Sequence, residues 1–172
     1  NKVQAFFVEE TRLGIPADLT NEGIRGLKHE KSTFFPAQIG QGCTWDKELI
    51  YEIGRITGEE AKALGYTNIY SPILDLSRDP RWGRTVESYG EDSYLAGELG
   101  RQQVLGIQSN RVVSTPKHFA IYGIPGGGRD CYSRTDPHAS PQEVHELHLE
   151  PFRIAFQEAG ALGTMCSHND YN

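Results

Sequence analysis

The sequence is poor in cysteine, and none of its three cysteines lies near another. Cys43, Cys131 and Cys166 show neither C-x-x-C nor zinc-ligand spacing. A disulfide framework normally uses an even and denser set of cysteines. We therefore expect three reduced thiols with structural roles, and no metal site built on cysteine.

Basic residues are in the minority, and long apolar runs are missing. Lys and Arg number 17 against 23 Asp and Glu, which gives a formal net charge of −6. A protein that binds nucleic acid usually neutralises phosphates with a positive surface. No apolar run reaches the ~18 residues of a membrane span. We expect neither nucleic acid nor a membrane as a partner.

What the chain does contain is a regular alternation of helix-like and β-rich segments. Its 172 residues are enough for one domain with a core, given about 100–200 residues per domain. Strand, loop and helix in repetition are typical of a parallel sheet built from βα units. Four units form either a small doubly wound sheet or half of an eight-stranded barrel. After an opening helix over 1–14, strands are predicted to begin near residues 13, 67, 111 and 161, and helices to span 45–65, 91–108 and 140–160.

Two of the predicted helices carry end signals. Asp46 is placed to accept hydrogen bonds from the first turn of one helix, and Gly65 can adopt the left-handed conformation that ends it. Ser140 is the predicted N-cap of the other helix, with Pro141 at its first position. These signals fix the ends of the helices more closely than periodicity does.

The motifs of cofactor and metal sites are absent or incomplete. No G-x-G-x-x-G links the first strand to the first helix, which weakens a dinucleotide-binding interpretation. The glycine-rich segment 123–130 opens no helix, and we interpret it as a turn with positive φ rather than a phosphate loop. His145 and His148 are three residues apart, whereas H-E-x-x-H needs a histidine at Leu149. We expect no cofactor and no metal.

Polar residues follow the predicted strand ends. The ends of parallel strands lie on one face of a sheet or barrel, and active sites form on that face. Charged groups there need partners, because their desolvation is costly. We therefore expect a site for a polar ligand at the strand ends. The residues concerned are Glu22, Asp79, Arg81, Arg84, Lys117, His118, Met165, Ser167, His168 and Asn169.

Structural roles are the alternative for several of these residues. Lys117 could form a salt bridge to a neighbouring strand, and His118 could be a hydrogen-bonded core histidine. The arginines of "DPRWGR" (79–84) could clamp the carboxylates of Asp79 and Glu87, and Trp82 could be a packing residue rather than a platform for a sugar.

The residues around these positions match a known family. The segment "SPILDLSRDPRWGRTVESYGED" is followed by "KHFAIYG" at a characteristic distance, and "RLGIP", "NEGIRG" and "GTMCSHNDYN" fit the same pattern. Together they resemble the N-terminal barrel domain of glycoside hydrolase family 3 over essentially the whole chain. The resemblance implies an α/β fold in which residues 1–172 form roughly the first four βα units of a (β/α)8 barrel.

The resemblance also implies a pocket for one terminal sugar. Glu22 falls where the family has an acidic residue, usually Asp, that accepts hydrogen bonds from sugar hydroxyls. Arg84 matches a sugar-binding arginine, and Lys117 and His118 match a pair that binds neighbouring hydroxyls. Arg81 and Trp82 are expected to brace the loop instead.

Two further positions complete the implied site. Met165 matches a residue that lines the pocket near the nucleophile. His168 stands where most members have a tyrosine that touches the nucleophile. This departure bears on how the reactivity of the nucleophile is tuned.

The family's activity then becomes the expectation for this chain. It implies the substrate-binding portion of a retaining exo-acting β-glycosidase, most simply a β-glucosidase acting on terminal non-reducing β-D-glucosyl residues. The alternatives are a β-xylosidase of the same family and a catalytically silent carbohydrate-binding homologue. The partner is an oligosaccharide or β-glycoside, and the expected location is extracellular or periplasmic.

No catalytic residue is assigned within the chain. The family nucleophile is an Asp in an "SDW"-like motif, expected beyond Asn172, and the acid/base residue usually comes from a following domain. We therefore expect that the remainder of a longer chain is needed for turnover.

Overall fold

Helices and short parallel strands alternate along the chain, as the sequence predicts. The computed structural model describes residues 2–124 and 136–171. Residues 125–130 of the glycine-rich segment, and Cys131, lie outside the described residues. Cys43 and Cys166 carry free thiols at the surface.

The elements are short except for two long helices. The strands are β1 (Thr20–Glu22), β2 (Asn68–Tyr70), β3 (Val113–Ser114), β4 (Lys117–Phe119) and β5 (Met165–Cys166). The helices are α1 (Lys2–Ala5), α2 (Gln38–Gly42), α3 (Lys47–Leu64), α4 (Ser93–Gln108), α5 (Pro141–Glu143) and α6 (Glu150–Arg153). Further helical turns lie at Phe6–Glu10, Thr85–Glu87, Val144–His148 and Ile154–Glu158. None of the helices in the described part is long and apolar enough to cross a membrane.

The predicted helix ends are confirmed. The carboxylate of Asp46 accepts a hydrogen bond from the backbone N–H of Leu49 at 2.9 Å, and Gly65 ends α3 with φ of 87°. Ser140 accepts a hydrogen bond from the N–H of Glu143 at 3.2 Å, with Pro141 at the first helical position. Local side-chain chemistry therefore sets these ends.

The strands are parallel, and their spatial order follows the chain. β1 pairs with β2, β2 with β3, and β4 with β5. A bridge between Ile73 and Lys117 joins the segment after β2 to β4. The α/β class is therefore confirmed. A doubly wound sheet contains a point at which strand order reverses, and these strands show none within the described residues.

The first and last strands differ from the sequence prediction. The apolar run at 13–19 precedes the first strand, which begins at Thr20, and Leu13 and Ile15 are both exposed. Gly14 has φ of 62°, so the chain turns before it enters the sheet. The predicted strand at 161–169 is reduced to Met165–Cys166, because only this part pairs with β4.

The core lies where the two long helices cover the strands. α3 and α4 pack directly against one another, and glycines on both helices allow a close backbone approach. The last helical region covers α4 through Phe152 and Ala155. This packing holds the strand ends, and with them the polar residues, in fixed positions. The buried apolar residues of the strands, α3 and α4 include Ile50, Ile53, Ile69, Ile73, Leu74, Leu76, Leu99 and Ile107.

Candidate functional site

The carboxyl ends of the parallel strands carry the polar residues that the sequence singled out. Glu22 is the last residue of β1, and Lys117 and His118 lie in the short β4, just beyond the carboxyl end of β3. Arg84 lies immediately before the helical turn Thr85–Glu87, in the long loop between β2 and α4. The fold therefore brings four of the six candidate residues to one place.

Lys117 is buried in this site and forms an ion pair with Glu22. Its Nζ donates to Glu22 Oε2 at 2.6 Å and lies 5.9 Å from the centre of the Tyr70 ring. The Lys117 side chain is 2 % exposed, whereas that of Glu22 is 43 % exposed. A buried ammonium is thus held by a carboxylate that still reaches solvent.

His118 connects two charged groups. Its Nδ1 lies 2.7 Å from Asp75 Oδ2, and the same oxygen accepts a hydrogen bond from the His118 backbone N–H at 3.1 Å. On the other side of the ring, Nε2 lies 3.0 Å from Nη1 of Arg84. The ring also packs edge-on against Tyr122, with centroids 4.8 Å apart.

Sequence reasoning missed Asp75. The signal that could have found it is a carboxylate inside the apolar run "PILDL", between two leucines that are both buried. A charged group at such a position requires a partner, and in this fold the partner is His118.

Arg84 is held on its other side by Glu87. Its Nη2 and Nε donate to Glu87 Oε2 at 2.6 and 3.1 Å, and its guanidinium lies 5.7 Å from the centre of the Tyr122 ring. Burial alone lowers the pKa of Arg84, but hydrogen bonding to Glu87 and the negative charge of Glu87 outweigh this effect and leave that pKa above its ordinary value. Arg84 therefore contacts both a structural carboxylate and the candidate histidine.

The other arginine of the motif has a different role. Arg81 binds Asp79 through its Nη2 at 2.6 Å and its Nε at 2.9 Å, and it is largely exposed. Trp82 is buried, with its ring edge-on to Tyr122 at 6.0 Å. Arg81 thus makes a local ion pair within the motif and Trp82 packs in the core. That the two residues brace the loop stays a prediction.

Met165 and His168 occupy different environments. Met165 pairs with Lys117 across β4 and β5, and its N–H donates to the carbonyl of Pro116 at 3.1 Å. His168 is exposed, and within residues 2–124 and 136–171 no hydrogen bond or ion pair joins it to the other candidates. Met165 is therefore adjacent to the site, whereas the structure does not bring His168 into it.

A cavity of about 690 Å³ adjoins the site. Glu22 and Glu87 lie in its wall, together with residues of the loop that follows β1, including Arg25, His29 and Phe34. Arg84, Lys117 and His118 do not line it. The carboxylate partners of Lys117 and Arg84 thus line this cavity, whereas the two cations do not.

The histidine pair at 145 and 148 does not converge on a common point. His145 is exposed, while His148 is buried, and burial lowers the pKa of His148. Among the residues that the structure describes, no three His, Cys, Asp or Glu side chains lie close enough together to hold a metal ion. What the described residues at the strand ends do show is charged groups joined by hydrogen bonds.

Comparison with known proteins agrees with this architecture. The family described as "Glycosyl hydrolase family 3 N terminal domain" matches residues 1–172. A β-xylosidase of Formosa agariphila is 37 % identical over 94 % of this chain and 24 % of its own length. A solved β-glucosidase structure from Erythrobacter marinus covers 98 % of this chain with 34 % identity and a TM-score of 0.91.

A β-glucosidase of Listeria innocua, solved in complex with glucose, also covers 98 % of the chain, with 34 % identity and a TM-score of 0.86. The chain spans about a quarter of the length of these relatives, from 23 to 24 %. The match over all 172 residues, and relatives of this similarity, place the chain in the glycosyl hydrolase family 3 N-terminal domain family.

Proposed function

We propose that this chain is the sugar-binding part of a retaining, exo-acting β-glycosidase, with β-glucosides as substrates. The observation that supports the proposal is the contact of Arg84 with His118 and of Lys117 with Glu22, because four side chains capable of hydrogen bonding to hydroxyls then lie close together at the strand ends. A sugar presents vicinal hydroxyls, and each hydrogen bond from a hydroxyl to a charged group contributes about 1.5–3 kcal/mol.

Each residue has a part in this proposal. Glu22 accepts hydrogen bonds from sugar hydroxyls, Lys117 and Arg84 donate to sugar oxygens, and His118 binds a neighbouring hydroxyl. Met165 lines the pocket beside Lys117. A contact of His168 with the sugar stays a prediction.

The strand order supports a barrel. Parallel strands that follow the chain in sequence are typical of the first half of a (β/α)8 barrel, whose active site lies at the carboxyl ends of the strands. We infer that residues 1–172 supply about four βα units. The nucleophile and the acid/base residue, two carboxyl groups about 5–5.5 Å apart in a retaining enzyme, come from sequence outside this chain.

β-Xylosides are the second candidate substrate. The relative from Formosa agariphila is a β-xylosidase, and it is at least as similar to this chain as the two solved β-glucosidases are. For location, a relative from Salmonella typhimurium that is 31 % identical over 94 % of the chain is a periplasmic β-glucosidase. We propose an extracellular or periplasmic location on this basis.

The test compares the product of the full reading frame with the 172-residue chain. The full-length protein should release nitrophenol from aryl β-glucosides, and kcat/KM on the matching aryl β-xyloside decides between the two substrates. The first sugar product should retain the β configuration when observed by proton NMR. The 172-residue chain alone should show no turnover.

Two controls complete the test. Lys117→Met should abolish binding of methyl β-glucoside by calorimetry, whereas Lys62→Met, at an exposed position near the end of α3, should leave it unchanged. Binding without hydrolysis by the full-length protein would point instead to a silent carbohydrate-binding homologue. Failure to bind or hydrolyse any glycoside would overturn the proposal.

A further inference from the structure

We infer that Asp75 is a positioning residue that fixes the tautomer and orientation of His118, and through His118 the place of Arg84. The inference rests on the proposed function only for its effect on catalysis. The tautomer itself is a property of the folded chain.

The carboxylate of Asp75 is hydrogen-bonded to His118. Its side chain is fully buried, and both hydrogen bonds that it makes within the described residues come from His118, from Nδ1 at 2.7 Å and from the backbone N–H at 3.1 Å. The other carboxylate oxygen, Oδ1, has no hydrogen-bond partner among the described residues. A buried carboxylate is costly unless it is paired, so holding His118 is what explains Asp75 at this position.

The two neighbours of the imidazole require the same tautomer. A carboxylate only accepts hydrogen bonds, so the Nδ1 that faces Asp75 carries the proton. A guanidinium only donates, so the Nε2 that faces Arg84 presents its lone pair. His118 is thereby held as an Nδ1–H imidazole whose Nε2 accepts.

Loss of Asp75 would remove this constraint. An imidazole with its proton on Nε2 would place two donors, its own N–H and that of Arg84, against each other. The ring or the guanidinium would then have to move. Because Arg84 and His118 are both proposed to bind the sugar, a substitution at Asp75 should affect substrate binding although Asp75 is not proposed to contact the sugar.

The test uses Asp75→Ala in the full-length protein. Alanine removes the oxygen that accepts from both Nδ1 and the backbone N–H of His118, so no acceptor at this position holds the proton on Nδ1. The matched control is Asp18→Ala, since Asp18 also accepts two hydrogen bonds, from Thr67 and Asn68, just before β1 at the amino ends of the strands.

The first readout is the nitrogen-15 NMR spectrum of His118, assigned by its loss in His118→Ala and recorded without substrate. We expect the Nδ1–H form in the wild type and in Asp18→Ala, and a shift toward the Nε2–H form in Asp75→Ala. An Nε2–H imidazole in the wild type would overturn the inference whether or not the protein hydrolyses any glycoside.

The second readout is a double-mutant cycle on kcat/KM. Asp75→Ala should lower kcat/KM by about 10- to 100-fold, the range known for loss of a carboxylate that orients a metal-bound histidine. The same substitution should have no further effect in a His118→Ala background, because Asp75 acts through His118. An equal loss in both backgrounds would show that Asp75 supports the fold alone. Absence of hydrolysis by the wild type would count against the proposed function, and the tautomer would still decide the role of Asp75.

Discussion

Lys117 and Glu22 form an ion pair in which the two charges have very different surroundings. Their Nζ and Oε2 atoms are 2.6 Å apart, yet the lysine side chain is 2 % exposed and the glutamate side chain 43 %. The buried ammonium of Lys117 has lost its contact with water and needs the carboxylate as a partner. The carboxylate of Glu22 can still be solvated if the ammonium is removed. Removing one partner of such a pair has consequences that depend on which partner is removed.

We predict that Glu22→Gln destabilises the protein more than Lys117→Met does. Glu22→Gln leaves a buried ammonium without its carboxylate and should lower the free energy of unfolding by about 1–3 kcal/mol. Lys117→Met replaces the ammonium by an apolar group of similar length and should leave that free energy unchanged or higher. Urea unfolding of both variants measures the difference. A Glu22→Gln protein as stable as Lys117→Met would show that the pair is not needed to bury the lysine.

The two arginines of "DPRWGR" should respond differently to a substitution that preserves charge. Lysine keeps the charge of Arg84 but cannot reach both Glu87 and His118, because it lacks the planar fork of donors. In the full-length enzyme, Arg84→Lys should lower kcat/KM by about tenfold or more, the loss of roughly one charged hydrogen bond. Arg81→Lys, which alters an exposed pair with Asp79, should leave kcat/KM within about twofold.

Comparison of stability separates a binding role from a structural one. If Arg84→Lys mainly lowers the free energy of unfolding and leaves kcat/KM unchanged, the motif is a structural clamp. Equal losses of activity from both lysine variants would also contradict a specific role for Arg84.

Local signals in the sequence were sufficient for the helix ends and for the strand alternation. Asp46 and Gly65 act within one turn of the chain, so their chemistry can be read without knowledge of the fold. Strand length depends on partners, which the sequence does not show. The run at 13–19 looks like a strand by its residues, yet pairing with β2 begins only at Thr20.

The site was only partly predictable for the same reason. Glu22, Arg84, Lys117 and His118 were found from their places after strands and from the family pattern, and the fold brings them together. Asp75 was missed because its role depends on a residue 43 positions later in the chain. Local sequence could flag a buried carboxylate but could not identify its partner.

Two Gly→Ala substitutions should change the stability of the protein in opposite directions, because Gly106 lies at the close contact of α4 with α3 and Gly40 does not. A methyl group at Gly106 would overlap the backbone carbonyl of Tyr51 and lie 2.7 Å from the backbone nitrogen of Arg55. Gly106→Ala should therefore destabilise the protein by about 1–3 kcal/mol, despite the better helix propensity of alanine. At Gly40, inside α2, the nearest atom would be 3.9 Å away, and alanine should stabilise by about 0.5–1 kcal/mol. Thermal or urea unfolding of both variants measures the two signs, and a stabilising Gly106→Ala would mean that the helices can separate without cost.

The pair formed by Arg81 and Asp79 predicts a local dependence on pH. Hydrogen bonds from the side chain and the backbone N–H of Arg81 lower the pKa of Asp79 from its ordinary 3.8 to about 2. Because the folded state favours the charged carboxylate, the contribution of this pair to stability is complete above about pH 4 and is lost as the pH falls toward 2.

Carbon-13 NMR titration of the Asp79 carboxyl should show this low pKa in the wild type and in the control Arg12→Met, whose arginine is exposed in the segment before β1. In Arg81→Met the pKa should return to about 4. A pKa of Asp79 that stays near 2 without Arg81 would show that some other group holds the charge, and that Arg81 does not brace the loop.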